Sequence, residues 1–429
     1  MNRCLIIGGG IAGLTAASIL ASKKIPITLL ESSPKLGGRT YSFIDSETNT
    51  TIDNGQHILM GCYSETLKFM KLINAEDNFE YQRNLRLNLI GRDKTEYKIE
   101  SSKVFYPFNL LFAIANYNAF TISDKFLFIK FLLKLLFLTK KSIKHFNVAE
   151  WLKSENQNDG MIKKFWEILC IGALNTSIYK ASAVVFYDIL IQIFFRGNFA
   201  STIILPKKGL TESIIDPAVA FIRSNGGEII TSKTVKNLEI KNKNIIKVVT
   251  ENGIFEKFDY VISAIPNYAL QKVSNSNELI FADDKFEYST IVNIHVWIDN
   301  LILKEKFYGF LDSPLHWIFV KDGHFNIVIS DANHLAGKTK EEIYEMVSTE
   351  LFKYLSVDKK NIVRYKIVNE KRATFVPHKN ILDIRPNCET EIKNLFLAGD
   401  WTNTVLPSTI ESAAKSGRIA AECILSKIS

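Results

Sequence analysis

The stretch that most constrains this chain runs from Arg3 to Arg39, RCLIIGGGIAGLTAASILASKKIPITLLESSPKLGGR. Leu5-Ile6-Ile7 is an unbroken apolar run, the pattern of a strand buried on both faces. Three glycines follow at once, and Ile11 to Ala21, rich in alanine and leucine, reads as a helix. A second apolar run, Ile25 to Leu30, ends at Glu31. In the spacing Gly8-x-Gly10-x-x-Gly13, Gly8 permits a tight turn and Gly10 lets the backbone approach a pyrophosphate. Gly13 lets helix and strand pack closely. The amides of Ile11 and Ala12 then open a helix whose N-terminus carries a partial positive charge toward the phosphates. Glu31 lies about 20 residues downstream, where such a unit places an acid on a ribose hydroxyl. A glycine-rich turn in another α/β protein would need the glycines but not the flanking strands and terminal acid. An acid at this position favours a free 2′-hydroxyl, so FAD or NAD over NADP.

Leu36-Gly37-Gly38-Arg39-Thr40 follows after a short loop. An arginine held by glycines there can return to the pyrophosphate or the flavin edge. Glu-x(5)-Gly-Gly-Arg after such a unit resembles the flavoproteins with two dinucleotide-binding domains, among them amine oxidases and carotenoid desaturases. The resemblance implies FAD on a Rossmann-like α/β domain, with an intertwined α+β substrate domain of mixed sheet and helices. It assigns residues 1–75, 203–268 and 385–429 to the cofactor domain, and 76–202 with 269–384 to the substrate domain. In that fold Val235 offers its backbone amide and carbonyl to adenine.

The far end of the chain carries the complement. Asn394 to Ala398 reads as a buried strand ending in Gly399-Asp400. That aspartate can bind ribityl or pyrophosphate oxygens. Thr409 and Ile410 begin a helix whose amides would point at the flavin O2 edge and favour negative charge there. No cysteine lies in the Gly-Asp-Trp-Thr segment, so the FAD is expected to be non-covalent.

Asp53-Asn54-Gly55-Gln56-His57-Ile58-Leu59-Met60-Gly61-Cys62-Tyr63 narrows the resemblance to the hydroxysqualene dehydroxylase family. Glu370-Lys371-Arg372-Ala373-Thr374-Phe375 and the run from Leu397 to Glu411 point the same way. The family implies reductive loss of a hydroxyl from a C30 isoprenoid, hydroxysqualene to squalene, on the way to hopanoid precursors. Gly55, Gln56 and His57 would pass beside the flavin ring. A general acid would help water leave. His57 is the first candidate, against a histidine simply bonded to backbone or flavin. Arg372 is the second, against an ion pair with Glu370 or an interdomain contact. Trp297 and Trp317 would line the substrate cavity, against plain core packing. The reductant that recharges FAD is unidentified. Two other readings share the motifs: a phytoene-type desaturase or saturase, and a flavin-free prenyl-lipid carrier, which has no need of Glu31, Arg39 and Asp400 together.

The remaining sequence bounds the partners. The 429 residues carry a net charge of +8, scattered and without an arginine-rich tract, so no nucleic-acid partner is expected. Five cysteines form no CxxC pair, which fits a reducing cytoplasm and no metal. Val104 to Leu138 is the most apolar region, but lysines interrupt it before a membrane span could form. It reads either as a helix covering the core, capped by Ser123 or Asp124, or as a helix lying on anionic lipid, near 104–140. Phe79 to Ser102 alternates as a hairpin turning near Gly91-Arg92-Asp93, and Val148 to Ile222 reads as helical, broken by Pro206.

Overall fold

In the computed structural model, which describes residues 2–273 and 286–428, the opening strand Cys4–Ile7 lies at the centre of a five-stranded sheet. Its neighbours are Ile27–Leu30 and then Glu228–Ile230 on one side, and Tyr260–Ser263 and then Leu395–Leu397 on the other. All four pairings are parallel. Strands that run the same way finish along the same edge, so Gly8, Glu31, Ala264 and Gly399-Asp400 leave the sheet side by side. That edge of an open parallel sheet is where such folds bind ligands.

The helix Ile11–Ser22 covers this sheet, and the long C-terminal helix Ile410–Ile428 lies against it. Two glycines allow the approach. A Cβ on Gly13 would stand 2.0 Å from the Gly8 carbonyl oxygen, and one on Gly417 would stand 2.2 Å from that of Ala12. Neither gap admits a carbon atom, so the first helix sits closer to the glycine turn at Gly13, and to the C-terminal helix at Gly417, than any side chain allows.

A seven-stranded sheet forms the second half, in the order Ile362–Phe375, Tyr288–Ile298, His324–Ile329, Trp317–Lys321, Phe307–Phe310, Arg86–Ile90, Glu96–Glu100. Side chains alternate across it. Val292, Ile294, Val296, Ile327 and Ile329 pack on Ile343, Val347 and Leu351 of the helix Lys340–Leu355. The opposite face carries Ile291, Asn293, His295 and Trp297, and it turns toward the segment after Asp53. Helices Ile122–Leu135, Val148–Ser154, Glu167–Leu174 and Ala183–Phe194 form a third body. Its core is aromatic: Phe128 stacks on Trp166 at 4.9 Å, and Phe131 meets Trp151 edge-on at 5.2 Å.

The structure departs from the sequence reading at three places. Thr121, not Ser123 or Asp124, caps the helix Ile122–Leu135; Asp124 is the third helical residue and returns the bond to the Thr121 amide. Pro206 breaks no helix. It ends the strand Ile203–Pro206, opposite Phe79, where its missing N–H faces no required acceptor. Phe79–Tyr81 pairs with that same strand, and Phe79 packs in the core of the parallel sheet, so the two halves interlock across position 75. The hairpin at Gly91 to Asp93 joins Arg86–Ile90 to Glu96–Glu100 as read.

Candidate functional site

The site is built from the ends of the parallel strands. Gly8 turns at φ +108, and a Cβ there would meet the Ala264 carbonyl oxygen at 2.8 Å. The Gly9 amide donates to Glu31 Oε2 at 2.7 Å, while Glu31 Oε1 accepts from the Ser33 amide at 2.8 Å. The acid therefore braces the glycine turn from the neighbouring strand. Gly10 caps the helix with no side-chain bond to its first turn, which leaves the Ile11 and Ala12 end suited to an anion. Gly37 donates to the Gly9 carbonyl at 2.8 Å, and a Cβ on Gly38 would lie 3.3 Å from Gly10 Cα. Among the described residues, leaving aside its chain neighbours, a Cβ on Gly10 would meet Gly38 Cα alone within 4 Å, at 3.9 Å. Any larger side chain would fill the cradle between the two glycine loops. Val235 comes to the same edge, because the Lys233 amide bonds the Glu31 carbonyl at 2.8 Å.

Arg39 crosses from this loop to the other end of the chain. Its Nη2 donates to Asp400 Oδ1 at 2.7 Å and its Nη1 to the Ala373 carbonyl at 2.6 Å. The Arg39 side chain keeps 37% of its surface open, while that of Asp400 keeps 10%. Burial alone would raise the Asp400 carboxyl, but the Arg39 guanidinium and the Ser408 hydroxyl hold it below its usual range. Gly399 donates its amide to Ser416 Oγ at 2.8 Å, and Thr409 Oγ1 accepts from the Ser412 amide at 3.2 Å, closing the first turn that begins at Ile410.

The segment from Asp53 to His57 faces the seven-stranded sheet. Asp53 is buried; it accepts from Ser42 Oγ at 2.7 Å, the Leu210 amide at 2.9 Å and Lys321 Nζ at 3.0 Å. Asn293 holds the loop from both sides, donating to the Asn54 carbonyl at 3.3 Å and accepting from the Gln56 amide at 3.4 Å. Gly55 gives Asn293 its space, with a Cβ position 3.6 Å from Nδ2. Burial pushes the His57 imidazole down to about 4; Asp53 opposes this and Arg39 adds to it. His57 is thus a neutral ring beside the Arg39 main chain.

Arg372 goes elsewhere. It is exposed, and its guanidinium lies 4.1 Å over the Tyr268 ring, which makes it a contact between the two halves. Glu370 accepts from the Asn54 side-chain amide at 3.4 Å and from the Arg372 main-chain amide at 3.4 Å. Trp317 is half-buried and packs over Gly172, whose Cβ position lies 3.0 Å from its ring, beside Ile58 and Ile291. Trp297 is four residues along its strand from Asn293, about 13 Å. It stacks on His324 at 5.2 Å and lies under Arg364, so it belongs to a polar neighbourhood and not to the Trp317 surface.

Two residues at this edge escaped the sequence reading. Arg385, only 5% exposed, donates to the Leu406 carbonyl at 2.6 Å, the Asp400 carbonyl at 2.8 Å and Thr404 Oγ1 at 2.8 Å. It clasps the loop that carries Val405 at φ +67, a conformation β-branched residues rarely take. Glu411 accepts from the Glu65 amide at 3.0 Å and the Thr66 amide at 2.8 Å, capping the helix Ser64–Leu72 across 345 residues. A lone arginine before a proline was the only signal for the first, and the Thr-Ile-Glu motif the only signal for the second.

Known proteins fit this geometry. The family profile described as flavin containing amine oxidoreductase matches residues 11–425. The chain is 27% identical to a hydroxysqualene dehydroxylase of Zymomonas mobilis, covering 99% of this chain and 100% of that one. It is 22% identical to a 15-cis-phytoene desaturase of Synechococcus elongatus, covering 99% and 96%. An oxidoreductase from Methanosarcina mazei superposes with a TM-score of 0.76 at 18% identity, covering 98% and 100%. FAD suits the donor set: an open glycine cradle, a helix N-terminus, a braced acid and a half-open arginine. This chain belongs to the flavin-containing amine oxidoreductase family and is an FAD-dependent oxidoreductase.

Proposed function

We propose that the protein carries out a reductive dehydroxylation, converting hydroxysqualene to squalene. The observation that carries this reading is the end-to-end match to a hydroxysqualene dehydroxylase. The interior supports it. Ile58, Met60, Leu87, Leu169, Ala173 and Trp317 are apolar yet only half-buried, and all pack against the two apolar clusters between the helical body and the sheet. Half-buried apolar side chains of this kind are what a long isoprenoid would pack against.

The reaction breaks a C–O bond next to an alkene, forms a C–H bond and consumes one proton to release water. FAD, bound reduced, supplies the hydride. In this reading Gly8, Gly10, Ile11, Ala12 and Gly13 hold the pyrophosphate and Glu31 a ribose. Val235 meets the adenine, and Gly38, Arg39, Gly399, Asp400, Thr409 and Ile410 hold the middle of the cofactor. Gly55, Gln56 and His57 lie along the ring. Neutral His57 orients the departing hydroxyl through a hydrogen bond, and the apolar walls keep bulk water from the cationic centre. Arg372, whose guanidinium lies over the Tyr268 ring, has no acid role in this reading.

The substrate is insoluble in water, and the surface answers that. Phe105, Ile122, Phe126 and Phe137 are 73%, 88%, 69% and 85% exposed, on and beside the helices Phe108–Ala115 and Ile122–Leu135. Lys125, Lys130 and Lys141 stand among them. This face rests on an anionic membrane surface from the cytoplasmic side, as a peripheral contact. No helix among the described residues is long and apolar enough to cross a membrane.

The deciding experiment is anaerobic incubation of chemically reduced holoenzyme with hydroxysqualene, followed by product analysis. Squalene is the expected product. No squalene, together with desaturation of phytoene by the oxidised enzyme, sinks the reading in favour of a desaturase. A protein without flavin absorbance that ignores added FAD points to a lipid carrier.

A further inference from the structure

Arg385 carries a charge that its hydrogen bonds do not require. It is 5% exposed, and its bonds go to the Leu406 carbonyl, the Asp400 carbonyl and Thr404 Oγ1. All of these acceptors are neutral. Its guanidinium carbon lies 5.0 Å from the centroid of the Phe375 ring, and its buried Nε has no hydrogen-bond partner in the protein. Holding a loop asks only for donors, which a neutral amide also has. A guanidinium brings a permanent charge besides, and taking one out of water without an anion of its own is costly.

No such anion pairs with it among the described residues. The Asp400 carboxylate takes Arg39 Nη2 at 2.7 Å and the Ser408 hydroxyl, so two arginines share one carboxylate. Glu370 acts on Arg39, Glu411 accepts from the amides of Glu65 and Thr66, and Asp383 pairs with Lys144 at 3.5 Å. Lys415 adds a further cation, donating from Nζ to the Thr404 carbonyl at 2.9 Å. Burial pushes Arg385 down to about 10, with Asp400 opposing it. The corner is therefore short of negative charge. Ser412 Oγ donates to the same Asp400 carbonyl at 3.2 Å, from the first turn of the helix Ile410–Ile428. Arg385 thus stands where the strand end meets the helix start, the two elements assigned above to the middle of FAD.

We propose that Arg385 is the buried cation that favours reduced over oxidised FAD, a positioning residue whose charge acts through the corner between Asp400 and Ile410. This rests on the placement of FAD at Asp400, Thr409 and Ile410. In the reduction an external electron donor supplies two electrons and solvent supplies one proton, so the cofactor gains one negative charge. A fixed cation in a low-dielectric interior stabilises that product more than the oxidised form, and the helix N-terminus acts in the same sense. The consequence is that a weaker reductant suffices to load the hydride-donating form.

The test measures the midpoint potential of bound FAD, by anaerobic titration against a reference dye, in wild type, Arg385→Met and Arg385→Lys. Arg385→Met removes the charge and keeps the length. Its potential is expected to fall by about 30 mV or more, tenfold in the reduction equilibrium. Arg385→Lys should keep most of the wild-type potential, although it loses the planar fork. A mere clasp on the loop would weaken oxidised and reduced FAD alike and leave the potential where it was. An unshifted potential in Arg385→Met therefore overturns the proposal, as does a fall in Arg385→Lys equal to that in Arg385→Met. Should both variants fail to fold, wild type decides: its reduced FAD should keep the negative charge to lower pH than free reduced FAD, read from the absorbance spectrum. The same titration point as free FAD overturns the proposal. Arg39→Lys separates the two readings. Unaltered FAD affinity in that variant removes the cofactor from this corner, and the role of Arg385 with it. Weakened affinity there, with an unshifted potential in Arg385→Met, removes the role of Arg385 alone.

Discussion

Arg39 and Asp400 are 361 residues apart in sequence and 2.7 Å apart in space. Because Arg39 also donates to the Ala373 carbonyl, one guanidinium ties the glycine loop, the C-terminal strand and the seven-stranded sheet. With a third of its side chain open, the pair adds little to stability, since solvent screens it. Its role is placement: the fork sets Asp400 and leaves donor surface toward the cradle.

Substituting Arg39→Lys keeps the charge and loses the fork. FAD affinity, followed by quenching of flavin fluorescence, is expected to fall at least about tenfold, or about 1.4 kcal/mol. Asp400→Asn should behave alike, because Arg39 then lacks its anionic partner. Melting of the apoprotein should change little in either variant. Unaltered FAD binding in both would remove this pair from the cofactor site.

Gly13→Ala and Gly417→Ala place a carbon where a carbonyl oxygen already stands, 2.0 and 2.2 Å away. The first helix must move off the glycine turn in one case and off the C-terminal helix in the other, at a cost of about 1–3 kcal/mol each. Gly55→Ala is the control, since its nearest neighbour lies at 3.6 Å. Thermal unfolding should show two lowered midpoints and one unchanged. A stable Gly13→Ala would mean that helix and strand are not as close as described.

These contrasts show where the sequence is legible. The glycine turn, Glu31 and Gly399-Asp400 could be read because each is fixed by its own strand end, and parallel strands then gather those ends without further information. The hairpin at Gly91 to Asp93 is local in the same way. Arg385 is not legible because two of its three acceptors are main-chain carbonyls 15 and 21 residues on, which no side-chain pattern announces. Asn293 reaches the loop across 239 residues, and the neighbours of Trp297, His324 and Arg364, are set by its position along the strand. Thr121 and Asp124 share one cap, so polar residues two and three places into the helix read as caps although Asp124 is only its returning half.

Acid should loosen the fold before the carboxylates are protonated. The folded state holds His57 and His316 at about 4, in both cases chiefly by burial. Unfolded, each returns toward about 6.5. Between those values the unfolded chain binds more protons, so stability is present in full above about pH 6.5 and is lost as pH falls toward 4. Each pKa unit corresponds to about 1.4 kcal/mol. Urea midpoints at pH 7.0, 6.0 and 5.0 are expected to decline in that order. His57→Gln should flatten the slope, and a flat wild-type profile would show that these rings are not held neutral.

Membrane contact can be separated from folding because its residues are already in water. Ile122, Phe126 and Phe137 are 88%, 69% and 85% exposed, so replacing them with serine removes little core packing and should leave the melting temperature within a degree or two. On a bilayer the same side chains would bury apolar area worth about 25 cal/mol per Å2, and each nearby lysine would add about 1 kcal/mol on an anionic surface. The triple serine variant should therefore lose co-sedimentation with vesicles of mixed neutral and anionic phospholipid. Lys130→Glu with Lys141→Glu, both exposed, should lose it at low salt, where the wild type still binds. High salt should weaken the wild type, since the lysine contribution is screened while the apolar one is not. Turnover of substrate dispersed in detergent should survive in both variants, while turnover of vesicle-borne substrate falls with binding. Wild type that stays in the supernatant at low salt would refute the contact outright.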